Sequence, residues 1–155
     1  MKKVIAMLMV LCLLMLCLTG CQSKPVAENN ASAAQEQRAA LDAYLASVKA
    51  QSDAIKASLE KDPLTQTDMN QKSQELRELW DGALKHLLEE SKRVLSAAEM
   101  EKLTAEQNAW LEATEKSLEA AGKEFEGGSM HALAVNSEAA ALTEARVYVL
   151  YEMLK

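Results

Sequence analysis

Apolar residues return at steps of three and four along four successive stretches of the chain. This spacing places them on one face of an α-helix, so the pattern predicts four helices. The first two stripes are Leu41, Leu45, Val48, Ser52, Ile55 and Leu59, then Met69, Ser73, Leu76, Trp80, Ala83, Leu87 and Val94. The last two are Met100, Leu103, Gln107, Trp110, Thr114, Leu118, Ala121 and Phe125, then Leu133, Ser137, Ala140, Val147, Tyr151 and Leu154.

Residue types that end or begin helices stand between these stripes. The first helix is predicted to end near Lys61-Asp62-Pro63, because proline disfavours helix in the residue before it. Thr65 and Thr67 are candidate caps for the second helix, since a threonine oxygen accepts a hydrogen bond from a free backbone N–H. Ser96 followed by Glu99 forms a capping box, which predicts the start of the third helix.

The third helix is predicted to end at Gly127-Gly128, because glycine adopts the left-handed backbone that a helix exit requires. The fourth runs from about Met130 almost to the end of the sequence. Residues 147–151 are apolar nearly all round and partly β-branched, so propensity also permits a strand there, although the helical spacing favours helix. Short connections between long helices predict an all-α fold, a small antiparallel bundle of three to four helices.

Charged residues four apart mark the solvated faces of these helices and are worth only a few tenths of a kcal/mol each. The predicted pairs are Asp81 with Lys85, Glu89 with Arg93, Glu112 with Lys116, and Glu119 with Lys123.

The segment before the helices has a different pattern. Met1-Lys2-Lys3 is basic, residues 4–18 are apolar almost without interruption, and Leu18-Thr19-Gly20-Cys21 follows. This order is typical of a secretory signal peptide, and the apolar run is shorter than the roughly 20 residues of a membrane span. With cysteine at the cleavage point, the segment resembles the lipobox of bacterial lipoproteins. The resemblance implies removal of residues 1–20 and attachment of a diacylglycerol to the thiol of Cys21.

Residues 21–34 are rich in Ser, Ala, Asn and Gln without an apolar period. This composition predicts a flexible tether between the lipid and a helical domain at residues 35–155. We therefore expect an extracytoplasmic protein anchored to a bacterial membrane by the lipid on Cys21. Gln22 replaces the aspartate that retains some lipoproteins at an inner membrane, so both a cell membrane and an outer membrane stay open.

Charge and cysteine content narrow the function. Removal of residues 1–20 takes two of the 17 basic residues and leaves 15 against 23 acidic ones, a net charge of −8. Nucleic acid is not expected as a partner, because binding it depends on clustered Lys and Arg. A cationic protein partner is favoured instead. Cys12 and Cys17 would leave with the signal peptide and Cys21 would carry the lipid, so no thiol remains for a disulfide or a metal.

An ordered set of short motifs lies between residue 65 and residue 155. The set is Thr65-Gln66-Thr67-Asp68-Met69-Asn70, Trp80-Asp81-Gly82-Ala83-Leu84, Leu103-Thr104-Ala105-Glu106-Gln107-Asn108-Ala109-Trp110-Leu111, Gly127-Gly128-Ser129 and Leu142-Thr143-Glu144-Ala145-Arg146. It resembles the LprI-like family, named for a lysozyme-inhibitor lipoprotein, whose pattern places Gln-x-x-Trp, Gly-Gly-Ser and Thr-x-x-Arg in this order. Many relatives also have an Arg-Asp after the tryptophan and a disulfide to the last helix. Here residues 113–115 and Leu118 occupy the first region, and residues 139–141 the second.

Gln107, Trp110 and Arg146 are the candidate functional side chains. Gln107 and Trp110 are either a partner-contacting pair or a buried amide beside a core anchor, with the amide satisfied by Arg146 or by a backbone group. Arg146 is expected to hold a buried carboxylate or amide network, or else to face a ligand. We favour burial for all three, and for Trp80, because tryptophan offers a large apolar area to a core.

The remaining polar groups do not predict catalysis. His86 and His131 lie on different helices, so the three or four ligands of a zinc site are not assembled. The carboxylates at 89–90 and 124–126 have no apolar pocket that would raise a pKa for acid catalysis. Gly127-Gly128-Ser129 either connects two helices or forms an exposed loop that inserts into a partner's cleft. We expect a non-enzyme without a cofactor.

These observations predict a membrane-anchored binding lipoprotein. The resemblance implies that it inhibits or sequesters a lysozyme-type muramidase by steric occlusion of the cleft, and its acidic charge suits a cationic lysozyme. The alternative is a non-catalytic structural or adaptor lipoprotein that packs its helix faces against an envelope protein complex.

Overall fold

The computed structural model describes residues 26–155 except Asp62, with side chains from Ser32 onward. The described chain forms four helices and no strand: α1 (Val26–Leu59), α2 (Gln66–Val94), α3 (Ala97–Lys123) and α4 (His131–Leu154). The predicted all-α bundle is confirmed. The signal segment and Cys21 lie outside the described residues. Within the described chain, no helix has the length and apolar character that crossing a bilayer requires.

α1 begins earlier than the sequence predicts. It is helical from Val26, inside the segment 21–34 that is predicted to be a flexible tether. This part is rich in alanine, the best helix former, so a helix extends there without an apolar stripe. The role of residues 21–34 as a tether stays a prediction. Residues 37–155 form one compact unit, and everything below concerns that unit.

The predicted capping box at Ser96 is present, and the predicted cap Thr65 also forms a capping box, with Asp68. Thr65 Oγ1 accepts a hydrogen bond from the backbone N–H of Asp68 at 3.2 Å, and the Asp68 carboxylate accepts one from the N–H of Thr65 at 3.0 Å. Ser96 and Glu99 form the same pair of bonds at 3.4 and 2.8 Å. Hydrogen bonds from the capping hydroxyl, and then from the backbone N–H, hold the pKa of each carboxyl below its ordinary value. Thr67 lies exposed in the first turn of α2 and is not the cap.

The connection between α3 and α4 contains the predicted glycine turn, but α3 ends before it. The helix stops at Lys123, and Gly127 takes a φ of 71°, in the left-handed region. Gly122 is buried in the last turn of α3, where a Cβ would lie 2.7 Å from Nε2 of His131. The two helices therefore meet closely at this end of the bundle.

α2 and α4 have the most extensive close backbone approach in the described bundle. Small side chains that let two backbones approach occupy buried positions of α4: Ala139, Ala140 and Thr143. Asn136 Nδ2 donates to Ser73 Oγ at 3.4 Å, and further along Thr143 Oγ1 donates to Asp81 Oδ1 at 3.4 Å. The earlier residue of α2 is bonded to the earlier residue of α4, and the later to the later. The two helices are therefore parallel.

The core lies where α1, α2 and α4 meet, and Trp80 is its largest fully buried side chain. The Trp80 Nε1–H donates to Ser52 Oγ of α1 at 3.2 Å, which satisfies two buried polar groups at once. The interpretation of Trp80 as a core anchor is confirmed. The other buried apolar residues of the core are Leu41, Leu45, Val48, Leu76, Ala83, Leu84, Leu87, Leu103, Ala140, Val147 and Leu150.

α1 runs antiparallel to α4. Tyr151 near the end of α4 donates to Asp42 Oδ1 at 2.5 Å, and Glu144, two turns earlier, pairs with Lys56 at 2.7 Å. The later residue of α1 thus contacts the earlier residue of α4. The two helices run in opposite directions, as expected in the predicted antiparallel bundle.

Two predicted stripe positions are wrong. Val94 is 42% exposed, because it is the last residue of α2, and the buried position belongs to Ser91. Ser137 is exposed, since Asn136 beside it takes the side that faces α2. Residues 147–151, where propensity also permits a strand, are helical.

The predicted ion pairs of the solvated faces are also wrong. None of the four is formed among the described side chains. α2 forms other pairs, three of them between residues three apart: Arg77–Asp81 at 3.5 Å, Lys72–Glu75 at 2.7 Å, Glu90–Arg93 at 3.0 Å and Glu89–Lys92 at 2.8 Å. Exposed pairs contribute little to stability in either spacing, so the exchange has little energetic weight.

We expect Thr65→Ala to lower the free energy of unfolding by about 1 kcal/mol at neutral pH, because a backbone N–H of α2 loses its acceptor. The cap also lowers the pKa of Asp68 in the folded state. Its contribution is therefore complete above the carboxyl range and is lost as the pH falls through the lowered pKa. Denaturant unfolding at pH 7 and pH 3 should show a smaller difference between wild type and variant at pH 3.

Thr67→Ala is the matched control, because Thr67 is exposed in the same turn and caps nothing. An equal loss in Thr67→Ala, or a Thr65→Ala loss that does not change with pH, would contradict the prediction.

Candidate functional site

Gln107 and Arg146, two of the candidates from the sequence, meet between α3 and α4. Arg146 Nε donates to Gln107 Oε1 at 2.9 Å, and Arg146 is only 9% exposed. The predicted amide network is therefore present, and the hypothesis that Arg146 satisfies Gln107 is confirmed.

The guanidinium of Arg146 is incompletely satisfied. Its Nη2 is buried and has no hydrogen-bond partner among the described residues. No carboxylate offsets the desolvation of this buried cation. Its burial therefore depends strongly on the one hydrogen bond to the neutral amide of Gln107. Arg146 thus joins α4 to α3 through its hydrogen bond to Gln107.

Trp110, the third candidate, differs from Trp80. Its side chain is half-buried, and it packs against the core while also lining a groove. The expectation of burial holds for Trp80 in full and for Trp110 in part.

The groove runs between α2 and α3, and we call it the α2–α3 groove. Its upper part has a volume of about 510 Å³. Five apolar residues line it together with polar residues such as Gln107, and the five are Leu84, Leu88, Met100, Leu103 and Leu111. Its lower part, of about 580 Å³, is lined by residues of α2, α3 and α4 that include Arg77, Trp110, Leu111, Leu118, Ala139 and Thr143. Asp81, Leu84 and Leu111 line both parts, so the two parts adjoin.

The lower groove carries an acidic rim. Glu112, Glu115 and Glu119 line it from α3, and none of the three forms an ion pair among the described side chains. The basic residue on the opposite side, Arg77, lies 3.5 Å from the carboxylate of Asp81. The rim therefore carries an excess of negative charge beside an apolar floor.

The two histidines, His86 and His131, lie in different surroundings. The His86 ring contacts the Tyr44 ring, with centroids 4.0 Å apart and the ring planes tilted by 44°, whereas His131 lies against Gly122 where α3 meets α4. In the part of the chain that the structure describes, no three His, Cys, Asp or Glu side chains come together as metal ligands.

The Gly127-Gly128-Ser129 turn is exposed, but it is not isolated from the bundle. Asn70 Nδ2 in the first turns of α2 donates to the carbonyl of Ser129 at 3.1 Å. This bond joins two of the sequence motifs and holds the turn as a connection. Its insertion into a partner's cleft stays a prediction.

The family model for lysozyme inhibitor LprI matches residues 58–150. The chain belongs to the LprI family. The match begins at the last two residues of α1 and includes α2, α3 and most of α4, so the LprI domain contains the Gln107–Arg146 pair and the α2–α3 groove. The family description names an inhibitor and not a catalysed reaction. Comparison with curated proteins and with solved structures finds no further match.

The sequence does not predict the groove. Of the residues that line it, Glu112 and Glu119 are predicted from the sequence to form solvated ion pairs, and Leu118 is predicted to be a core residue. The sequence does contain a signal, since Glu112, Glu115 and Glu119 follow the helical spacing of one face. Which helix that face borders depends on packing, and the sequence does not specify it.

We expect Gln107→Ala to lower the free energy of unfolding by about 2 kcal/mol, because the buried guanidinium of Arg146 loses its acceptor. Gln107→Glu should keep the stability close to that of wild type, since a carboxylate accepts the same hydrogen bond. Denaturant unfolding of the purified protein at neutral pH measures both.

Asn108→Ala is the control for this prediction, because Asn108 is the exposed neighbour on α3. Loss of equal size in Gln107→Ala and Asn108→Ala would show that the bond to Arg146 has no special weight.

Proposed function

We propose that the protein is a lipid-anchored, extracytoplasmic lipoprotein that inhibits or sequesters a lysozyme-type muramidase. The match of the LprI family model over residues 58–150 carries this proposal. Inhibition takes place by steric occlusion of the muramidase cleft, with no bond made or broken.

The charge of the domain supports a cationic partner. Without residues 1–20 the chain has a net charge of −8, and lysozymes are typically cationic. Opposite charge speeds the encounter of two proteins, and the effect weakens as salt screens it. The unpaired carboxylates of the lower groove add a local negative field to this general attraction.

The proposed anchor explains where inhibition is useful. Lipid on Cys21 holds the domain at a membrane surface, on the side where cell-wall hydrolases act. A tethered inhibitor meets its target at a high effective concentration without being lost to the surroundings.

Purified residues 22–155, titrated into a turnover assay of a cationic muramidase, should abolish activity near one inhibitor per enzyme. An acidic helical protein of similar net charge serves as the control for nonspecific attraction. Full muramidase activity at large excess would refute inhibition, and co-purification of an envelope protein would then favour the adaptor role.

Cys21→Ser should move the protein from the membrane fraction to the soluble fraction, because the proposed lipid has no other thiol in the mature chain. Cys17→Ser is the matched control, since Cys17 belongs to the segment that is removed. Mass spectrometry of the wild-type protein should show a chain that begins at Cys21 and carries a diacylglycerol. Equal membrane association of the two variants would contradict the anchor.

A further inference from the structure

The lower part of the α2–α3 groove is an apolar surface that the described chain does not fill. Leu111 is 52% exposed there, and Trp110 and Leu118 are half-buried. The floor below them includes the small side chains Ala139 and Thr143. Exposed leucine beside a half-buried tryptophan is typical of a surface that gains stability when a partner covers it.

One edge of this surface is a row of carboxylates. Glu112, Glu115 and Glu119 lie three and four residues apart on α3, so they share one side of the helix. No cation on the described chain pairs with them, and Arg77 across the groove is engaged with Asp81. The negative potential of the row is concentrated in a groove with apolar walls, which attracts cations to that place.

We propose that the lower groove is the contact surface for the cationic muramidase, and that it receives a basic segment of that enzyme. This proposal rests on the proposed function and adds the surface to it. A Lys or Arg side chain suits the groove, because its aliphatic stem covers Leu111 and Leu118 while its charged head reaches the row of carboxylates. An anionic lipid bilayer or a nucleic acid does not suit it, since the row of carboxylates repels negative charge.

The apolar half of the proposal is tested with two matched variants of the full chain, purified in detergent. Leu111 and Val149 have nearly equal exposure, 52% and 54%, but Val149 lies on α4 and lines no part of the groove. We expect Leu111→Asn to raise the Kd for a cationic c-type lysozyme about tenfold, as loss of a central contact does. Val149→Asn should change that Kd less than about twofold.

The acidic half is tested with two triple variants that remove the same charge. One is Glu112→Gln, Glu115→Gln and Glu119→Gln, and the control is Glu60→Gln, Glu78→Gln and Glu101→Gln, whose side chains are exposed and lie outside the groove. The groove variant should raise the Kd at least about tenfold, whereas the control loses only long-range attraction and should change it less than about threefold. Unfolding curves of all variants should match wild type, because every changed side chain lies at the surface.

The outcomes separate the surface from the function. Equal weakening by the two triple variants would reduce the effect to net charge and overturn the groove proposal. Equal binding of Leu111→Asn and Val149→Asn would overturn it too, because the proposal requires both halves. In either case inhibition by wild type leaves the proposed function standing. If the wild-type chain does not bind the lysozyme at all, both proposals fail.

Discussion

The close pairing of α2 with α4 is the constraint on which the rest of the bundle depends. Small side chains on α4, Ala139 and Ala140 among them, permit the approach, and Asn136 and Ser73 hold it at one end. These two parallel helices are not consecutive in the chain, because α3 lies between them. Their contact forms the centre of the bundle. α1 and α3 then pack against this pair, and the cleft between α2 and α3 stays partly open.

The two flanking helices are attached in different ways. α1 covers Trp80 and completes the apolar core, so hydrophobic burial determines its position. α3 contributes only Leu103 and Gly122 to the fully buried positions, and its polar link is the bond from Arg146 to Gln107. A single buried polar bond of this kind adds geometric specificity, because few other arrangements satisfy both groups.

Few side chains of α3 enter the buried core, so apolar residues of this helix are left at the groove. Leu118 does not enter the core as the sequence predicts, but lines the lower groove. Leu118 therefore adds apolar surface to the groove, next to carboxylates that form no ion pair among the described side chains.

The sequence by itself determined the helices, because spacing, caps and breakers act within a few residues of one another. Most positions of the four stripes, the cap at Thr65, the capping box at Ser96 and the glycine at 127 are found in the structure. It also pointed to the Gln107–Arg146 bond, since a polar residue in an apolar stripe needs a partner. Only the tertiary structure decided which faces border a groove, that Trp110 is half-exposed, and which carboxylates lack a cation. These properties depend on distances between helices, which arise from side-chain packing across the bundle and not from local order along the chain.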